Sequence, residues 1–177
     1  IITCILTPES WEMKDKEIAV GGELSKQMEP EYSSFRNYLK FAALGNTIDF
    51  FRPLEVIKEG LKGQVDFVID DSERFETKLR QASRILYLAD NAGEVFFDLP
   101  LLRWLRQFAS VAYVVKASAV QDDIAVEDIK RAGLEVELGE VITTGTATPG
   151  IDFSQATAQF KHEFNTADLI FAKGMGY

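Results

Sequence analysis

The sequence has few soft metal ligands and few classical nucleophile partners. One cysteine, Cys4, and one histidine, His162, occur in 177 residues. A single cysteine excludes an internal disulfide and a thiolate cluster, and a single histidine excludes a two-histidine metal site. A Ser–His–Asp or Cys–His site would have to be built on His162 alone. The remaining carboxylate, amide, hydroxyl and lysine groups suit a hard cation such as Mg²⁺ or Mn²⁺, held by oxygen ligands.

Basic charge and long apolar runs are also scarce. Lys and Arg number 19 against 28 Asp and Glu, which gives a net charge of -9 and argues against sequence-independent nucleic-acid binding. No apolar run approaches the roughly 20 residues of a membrane span. The apolar start over 1–6 is too short for a secretory signal and lacks a basic lead-in. We therefore expect a cytoplasmic protein with no nucleic-acid or membrane partner; the sequence leaves the oligomeric state open.

Composition and patterning predict one globular domain with an arm. Hydrophobic residues make up 46% and charged residues 27% of the chain, which excludes a disordered or collagen-like protein. Residues 1–30 carry little periodicity, are broken by Gly21, Gly22 and Pro30, and predict an irregular N-terminal arm. Residues 31–177 predict the α/β domain. A Gly-rich turn directly after a strand at 174–177 leads us to expect that this domain is truncated at its C-terminus.

Beyond residue 30, helical and strand patterns alternate. Helices are predicted over 31–44, 71–83, 95–108, 123–132 and 154–164, because apolar residues recur there at helical spacing. Short apolar runs predict buried strands over 84–89, 111–116, 134–138 and 168–172. Strands that alternate with helices indicate right-handed βαβ units, and therefore an α/β fold with a mostly parallel sheet.

Polar groups follow each predicted strand. They lie at 90–94, at 118 with 122–123, at 143–145 and at 173–174. Ligands of open parallel sheets bind beyond the carboxyl ends of the strands. The sequence therefore predicts that these acids and the lysine converge at one edge of the sheet.

Within these groups, Asp90, Asn91 and Asp123 form a carboxylate, amide and carboxylate set that suits Mg²⁺. The alternative is that these residues only cap the helices that follow them. Lys173 is placed to act as a point charge on a phosphate oxygen, or is a solvated lysine at a strand end. His162 is expected to face solvent or another helix. The sequence has neither a dinucleotide-binding glycine motif nor a P-loop.

Two loops offer weaker signals. The Thr-rich loop over 143–146 has hydroxyl and backbone N–H groups that can hold an anion. Asn46 and Asp49, after the first predicted helix, are interpreted on local grounds as a helix C-cap and a surface acid.

Five segments share the order and spacing of the motifs of one known family. They are 43–50, 87–94 (with Asp-Asn-Ala-Gly-Glu), 115–123, 144–150 (Thr-Gly, then Pro-Gly) and 167–176 (with Lys-Gly-x-Gly). In this arrangement the chain resembles the metal-dependent damage-control phosphatases, the ARMT1-like group long catalogued as a domain of unknown function. The form is most similar to the prokaryotic branch.

The resemblance implies a three-layer α/β/α fold with a helical N-terminal part. It implies a divalent ion (Mn²⁺, Mg²⁺, Ni²⁺ or Co²⁺) on Asp90, Asn91 and Asp123, with Lys173 on the phosphate. Such proteins hydrolyse phosphate monoesters of small metabolites, including sugar phosphates and damaged cofactor or nucleotide precursors. The residues expected to bind substrate or phosphate are Asn46, Gly93, Glu94, Ser118, Thr144, Gly145 and Gly174.

The chain departs from the family pattern at three places. The family usually has Asn at the position of Asp122 and Thr at that of Ala125, and the prokaryotic branch often has an N-terminal cysteine pair where only Cys4 occurs here. Two other functions remain open, a carboxyl methyltransferase that uses S-adenosylmethionine and a non-catalytic metabolite-binding domain. The attacking group of a phosphatase also stays open, between a metal-activated water and the Asp90 carboxylate.

Overall fold

The computed structural model describes residues 8–28, 34–48, 54–60 and 66–174. The described strands are β1 (Arg84–Leu88), β2 (Ser110–Val115), β3 (Val141–Thr143) and β4 (Leu169–Ala172). The described α-helices are α1 (Pro8–Met28), α2 (Phe35–Gly45), α3 (Leu54–Gly60), α4 (Ser72–Leu79), α5 (Val95–Leu105), α6 (Val126–Ala132), α7 (Glu135–Leu138) and α8 (Ala158–Thr166). None of these described helices is both long and apolar enough to cross a membrane.

The four strands form one parallel sheet in the order β3-β2-β1-β4. Leu88, at the end of β1, lies opposite Val114 of β2 and Ala172 of β4. The carboxyl ends of these strands therefore lie at the same edge, and the predicted α/β fold with a parallel sheet is confirmed.

The sheet is covered on both faces because alternate residues of each strand point to opposite sides. Tyr87 and Tyr113 belong to the larger core, which α1, α2, α4, α5 and α6 cover. Leu86 and Val114 point the other way, into a smaller core with Phe160 of α8. The predicted three-layer α/β/α arrangement is thereby confirmed.

The N-terminal segment corrects one prediction. Residues 8–28 form the 21-residue helix α1 and not an irregular arm. Its buried positions include Lys14, Glu17 and Leu24, so two of its inward residues are charged, which weakens the apolar periodicity. Gly21 and Gly22 do not break the helix. A Cβ on Gly21 would collide with the carbonyl oxygen of Gly93, and one on Gly22 would press on Phe96, so the glycines allow close approach.

The third predicted strand is also wrong. Residues 135–138 form the short helix α7, and β3 follows at Val141–Thr143. Gly133 and Gly139 flank this turn with φ of 66° and 65°, and Leu134 and Leu138, four residues apart, are both buried. Apolar spacing of four favours a helix over a strand.

Several predicted helix limits shift by a few residues. Ser34 and Thr157 cap α2 and α8 through their side chains, so these helices begin at Phe35 and Ala158. Residues 123–125 lie outside α6, which begins at Val126. The helices predicted to end at 83 and 108 end at Leu79 and Leu105.

Candidate active site

The segments that follow β1 and β2 are joined through their main chains. Asn91 and Asp123 form an antiparallel bridge. The Ile124 N–H donates to the Asp90 carbonyl at 2.8 Å, and the Ala92 N–H donates to the Asp122 carbonyl at 2.9 Å. Main-chain hydrogen bonds thus hold together two acidic turns that lie about thirty residues apart in the sequence.

The helix-cap alternative does not describe these residues. The N-cap of α6 is Ala125, two positions beyond Asp123. Asn91 precedes a 3₁₀ turn at Ala92–Glu94, but its side chain makes no capping hydrogen bond. The polar side chains of both turns are therefore available for another role.

Asp90 lies at the centre of a network of amide donors. Its Oδ2 accepts from Asn46 Nδ2 at 2.8 Å and from Asn91 Nδ2 at 3.4 Å. The carboxylate also lies against Gly174, where any Cβ would overlap it. Burial and the nearby Glu94 carboxylate raise the pKa of Asp90 above its usual value.

Glu94 connects the amides to the lysine. Its Oε1 accepts from Asn91 Nδ2 at 2.8 Å and from Asn46 Nδ2 at 3.0 Å, and its Oε2 accepts from Lys173 Nζ at 2.5 Å. Because Nδ2 of Asn91 faces Glu94, the Oδ1 of the same amide points away from that carboxylate.

Lys173 is in the predicted place but is not a solvated strand-end residue. It is buried, and besides Glu94 its Nζ donates to Asp98 Oδ1 at 2.8 Å. Burial lowers the pKa of Lys173, but the attraction of Asp98 and Glu94 outweighs burial and raises it above its usual value. Tyr87 and Tyr113 donate to the two oxygens of Asp98, each at 2.8 Å. The ammonium group is therefore charged and fixed in position.

Asp123 has two lysine contacts of different kinds. Its carboxylate lies 3.4 Å from Lys116 Nζ, and its main-chain carbonyl accepts from Lys14 Nζ at 2.5 Å. Burial raises the pKa of the Asp123 carboxyl, and Lys116 opposes that shift. Lys14 also pairs with Asp128 at 3.0 Å, so α1 is attached to this turn.

The donor set fits a divalent cation through its charge and its chemistry. Carboxyl groups outnumber ammonium groups here, since Asp90, Glu94, Asp98 and Asp123 lie around Lys116 and Lys173, and Lys14 is paired with Asp128. Within the described residues, no three His, Cys, Asp or Glu side chains could hold a metal ion by themselves. An ion here therefore needs amide, water or substrate oxygens as well, which Mg²⁺ and Mn²⁺ accept.

Not every predicted site residue joins this network. Thr144 is fully buried, with its hydroxyl 3.3 Å from that of Thr146, and Gly145 packs against Thr157. Ser118 is exposed, and no described hydrogen bond links any of these three to Asp90. The carbonyl group of Gly93 packs against Gly21 of α1. Asp49 lies outside the described residues, and His162 is exposed, as expected.

The sequence interpretation missed four charged residues that the structure places around the site. Lys116 directly follows β2, and Asp98 is the one acid in the apolar stretch that forms α5. Both positions could have been identified from the sequence as candidate site residues. Lys14 and Glu17 had no such signal, because α1 was not recognised. Glu17 is buried, and among the described residues its Oε2 has no hydrogen-bond partner. Burial and the nearby Asp122 raise its pKa to about 7.

The sequence of this chain matches a known protein family over most of its length. A family model described as the damage-control phosphatase ARMT1-like domain matches residues 13–177. The chain belongs to this family. The N-terminal helix that bears Lys14 thus lies within the ARMT1-like domain.

Relatives of this ARMT1-like domain come from archaea. A damage-control phosphatase of Pyrococcus horikoshii is 39% identical over 148 residues, which are 80% of this chain and 51% of that protein. An uncharacterized protein of Methanocaldococcus jannaschii is 34% identical over 155 residues, 82% of this chain and 50% of that protein. A damage-control phosphatase of Archaeoglobus fulgidus is 33% identical over 120 residues, 67% of this chain and 39% of that protein.

The fold agrees with a solved member. A crystal structure of a DUF89 family protein from Pyrococcus horikoshii superposes with a TM-score of 0.83 at 35% identity and covers 93% of this chain and 60% of that one. The chain spans about half of the length of the first curated relatives that it matches.

Proposed function

We propose that this chain is a cytoplasmic, divalent-metal-dependent phosphatase that hydrolyses phosphate monoesters of small, damaged metabolites. The observation that carries the proposal is the pairing of the Asp90 and Asp123 turns beside the buried Lys173, where carboxyl groups outnumber ammonium groups. Relatives of the same family named as damage-control phosphatases support the reaction class. They do not favour the methyltransferase or the non-catalytic alternative.

The metal would be held by Asp90, Asn91 and Asp123, and Mn²⁺, Mg²⁺, Ni²⁺ or Co²⁺ suits these oxygen donors. When bound, such an ion supplies Lewis-acid stabilisation of phosphoryl oxygens. Asn46 and Asn91 hold the Asp90 carboxylate in one orientation through their amide N–H groups. A fixed carboxylate needs no reorganisation when charge develops in the transition state.

Lys173 supplies fixed positive charge near the transferred group. Its bonds to Glu94 and Asp98 keep it protonated and limit its movement. Lys116, beside Asp123, supplies a second cation at the opposite turn. Two lysines on either side of the carboxylates reduce the repulsion that an anionic substrate would meet in a chain of net charge -9.

The direct test is Asp90→Asn, which keeps the shape of the side chain and removes its charge. We expect metal-stimulated release of phosphate from p-nitrophenyl phosphate or fructose 1-phosphate to fall by at least about a hundredfold, since charge stabilisation of this kind contributes that much. The rise in thermal midpoint that Mn²⁺ causes in the parent chain should also disappear, because bound ligand stabilises the folded state.

A matched control is Glu135→Gln, an exposed acid on α7. It removes the same charge elsewhere and should leave both the rate and the Mn²⁺ response unchanged. Undiminished phosphate release by the Asp90→Asn variant would contradict the proposed function.

A further inference from the structure

A cavity of about 340 Å³ opens next to the Asp90 carboxylate. Asn46 and Gly174 line it, and both contact Asp90. Lys173 belongs to the same wall. The cavity is therefore continuous with the site where the phosphate would lie, although none of the three predicted metal ligands lines it.

The remaining wall of this cavity is mainly apolar and aromatic. Phe75 of α4 and Phe171 of β4 stack with ring centroids 5.6 Å apart and an interplanar angle of 11°. The other apolar lining residues are Leu39, Ala43, Phe67, Ile69 and Ala172. Two helices and a strand supply most of this wall, so its shape is set by the packed core. Aromatic and aliphatic side chains together give an apolar surface against which a ring can pack.

Besides Asn46 and Lys173, the polar lining consists of Asp70, Asp71 and Ser72. The Asp70 carboxylate accepts from the Ser72 N–H at 3.0 Å and from Arg36 Nε at 2.6 Å. Hydrogen bonds from Ser72 and Arg36 lower the pKa of Asp70 to about 2, so the group stays ionised at neutral pH. Arg36 pairs with Asp70 and offsets that charge, so a second phosphate on the substrate would meet the Asp71 carboxylate here.

We propose that this cavity binds the alcohol portion of the substrate, and that preferred substrates are phosphomonoesters of uncharged alcohols bearing an aromatic or heteroaromatic ring. The inference rests on the proposed phosphatase function and specifies its substrate class. In the net reaction, the ester P–O bond breaks, a water oxygen becomes bonded to phosphorus, and one proton of that water goes to the released alcohol oxygen. The ring stays on the apolar wall while the phosphoryl group is transferred.

The test compares two esters of primary alcohols, 2-phenylethyl phosphate and glycerol 1-phosphate, with Mn²⁺ present. Their leaving groups are chemically alike at the reacting bond, so the ratio of their kcat/KM values reports on the cavity. We expect a ratio of at least about ten in favour of the phenyl ester, the scale of discrimination by an apolar pocket.

Two adjacent substitutions separate contact from charge. Ile69 lines the cavity and is 82% exposed, whereas Val68 is fully exposed and does not line it. Ile69→Asp should lower the ratio by at least about fivefold, because the ring loses apolar contact beside a carboxylate. Val68→Asp adds the same charge one residue away and should leave the ratio unchanged. Phe75→Leu should lower the ratio as well, with its fold checked by urea unfolding.

The two proposals fail in different ways. Phosphate release from both esters at similar kcat/KM, or a ratio that Ile69→Asp leaves unchanged, would overturn the substrate class and keep the phosphatase. Absence of phosphate release with every ion would overturn the phosphatase. In that case the dissociation constants of the two esters are measured by calorimetry with Mn²⁺. Binding of the phenyl ester at least about ten times tighter would support the proposed role of the cavity, and equal binding would contradict it.

Discussion

The role of a buried acid in this domain depends on the hydrogen-bond donors around it. Asp98 is fully buried yet has three donors, from Tyr87, Tyr113 and Lys173. Glu17 is buried to a similar degree, but among the described residues its Oε2 has no donor. Burial raises the pKa of both acids. At Asp98 the charge of Lys173 opposes that shift, and its three donors hold the carboxyl group in place.

This difference predicts a pH-dependent stability. The pKa of Glu17 is about 7 in the folded chain, compared with a usual 4.5, so the folded state binds this proton more tightly than the unfolded state. The free energy of unfolding therefore falls as pH rises from about 4.5 to about 7. Above that range, Glu17 is ionised and its destabilising effect no longer changes with pH. Glu17→Gln should stabilise the metal-free chain by about 2 kcal/mol at pH 8 and by much less at pH 4.5.

Urea unfolding in EDTA at the two pH values measures this difference. Glu12→Gln, on the exposed face of the same helix, is the matched control and should show equal effects at both values. A Glu17→Gln effect that did not change with pH would contradict the raised pKa.

Among the elements, α1 holds the loops of the candidate site. Gly21 brings the helix onto the carbonyl of Gly93. Lys14 reaches the Asp123 carbonyl and Asp128, which in turn accepts from the Ala125 N–H at 2.8 Å. One helix thus contacts both acidic turns, which main-chain hydrogen bonds already hold together.

Removal of this attachment should weaken both folding and metal binding. Lys14→Met should lower the free energy of unfolding by about 3 kcal/mol, because it leaves the buried Asp128 with less compensating charge. Adding Asp128→Asn should recover part of that loss. Both variants should need more Mn²⁺ for half-maximal activity, since the Asp123 carbonyl loses its donor in each.

Lys16→Met, an exposed position on α1, controls for charge and helix content. Urea unfolding and Mn²⁺ titration of activity give the two quantities. Unchanged Mn²⁺ dependence in a folded Lys14→Met variant would show that α1 does not position Asp123.

Over the whole molecule, the two ends of the sheet have separate tasks. The carboxyl end carries the acids, amides and lysines of the candidate site. At the amino end, Arg84 of β1 binds Glu140 through two hydrogen bonds, at 2.5 and 2.8 Å, and Glu163 of α8 through another at 2.8 Å. Arg84 therefore links the sheet to the helix layer, far from the proposed chemistry.

This separation predicts that stability and activity respond independently. Arg84→Met should lower the free energy of unfolding by about 1–2 kcal/mol, as expected for charge-assisted hydrogen bonds that are partly exposed. Its kcat/KM with saturating metal should equal that of the parent chain. Arg74→Met, an exposed arginine on α4, should change neither quantity, and a loss of activity in Arg84→Met would contradict the separation.

The sequence by itself determined the fold class and the location of the candidate site. Apolar runs such as 84–88 and 110–115 identify buried strands because their period is local, and parallel strands place the residues that follow them at one edge. The order of Asp90, Asn91, Asp123 and Lys173 after those strands was therefore enough to predict a polar cluster there.

Only the tertiary structure decided which other groups complete that cluster. Lys14 and Glu17 act on the site across more than a hundred residues, and Lys173, directly after β4, donates to Asp98 of α5. Burial, ion pairing and the pKa of Glu17 depend on atoms that meet only when distant segments pack. The periodicity of a segment depends only on its own residues and does not reveal such contacts. For this reason α1 and its charged residues could not be predicted from the sequence.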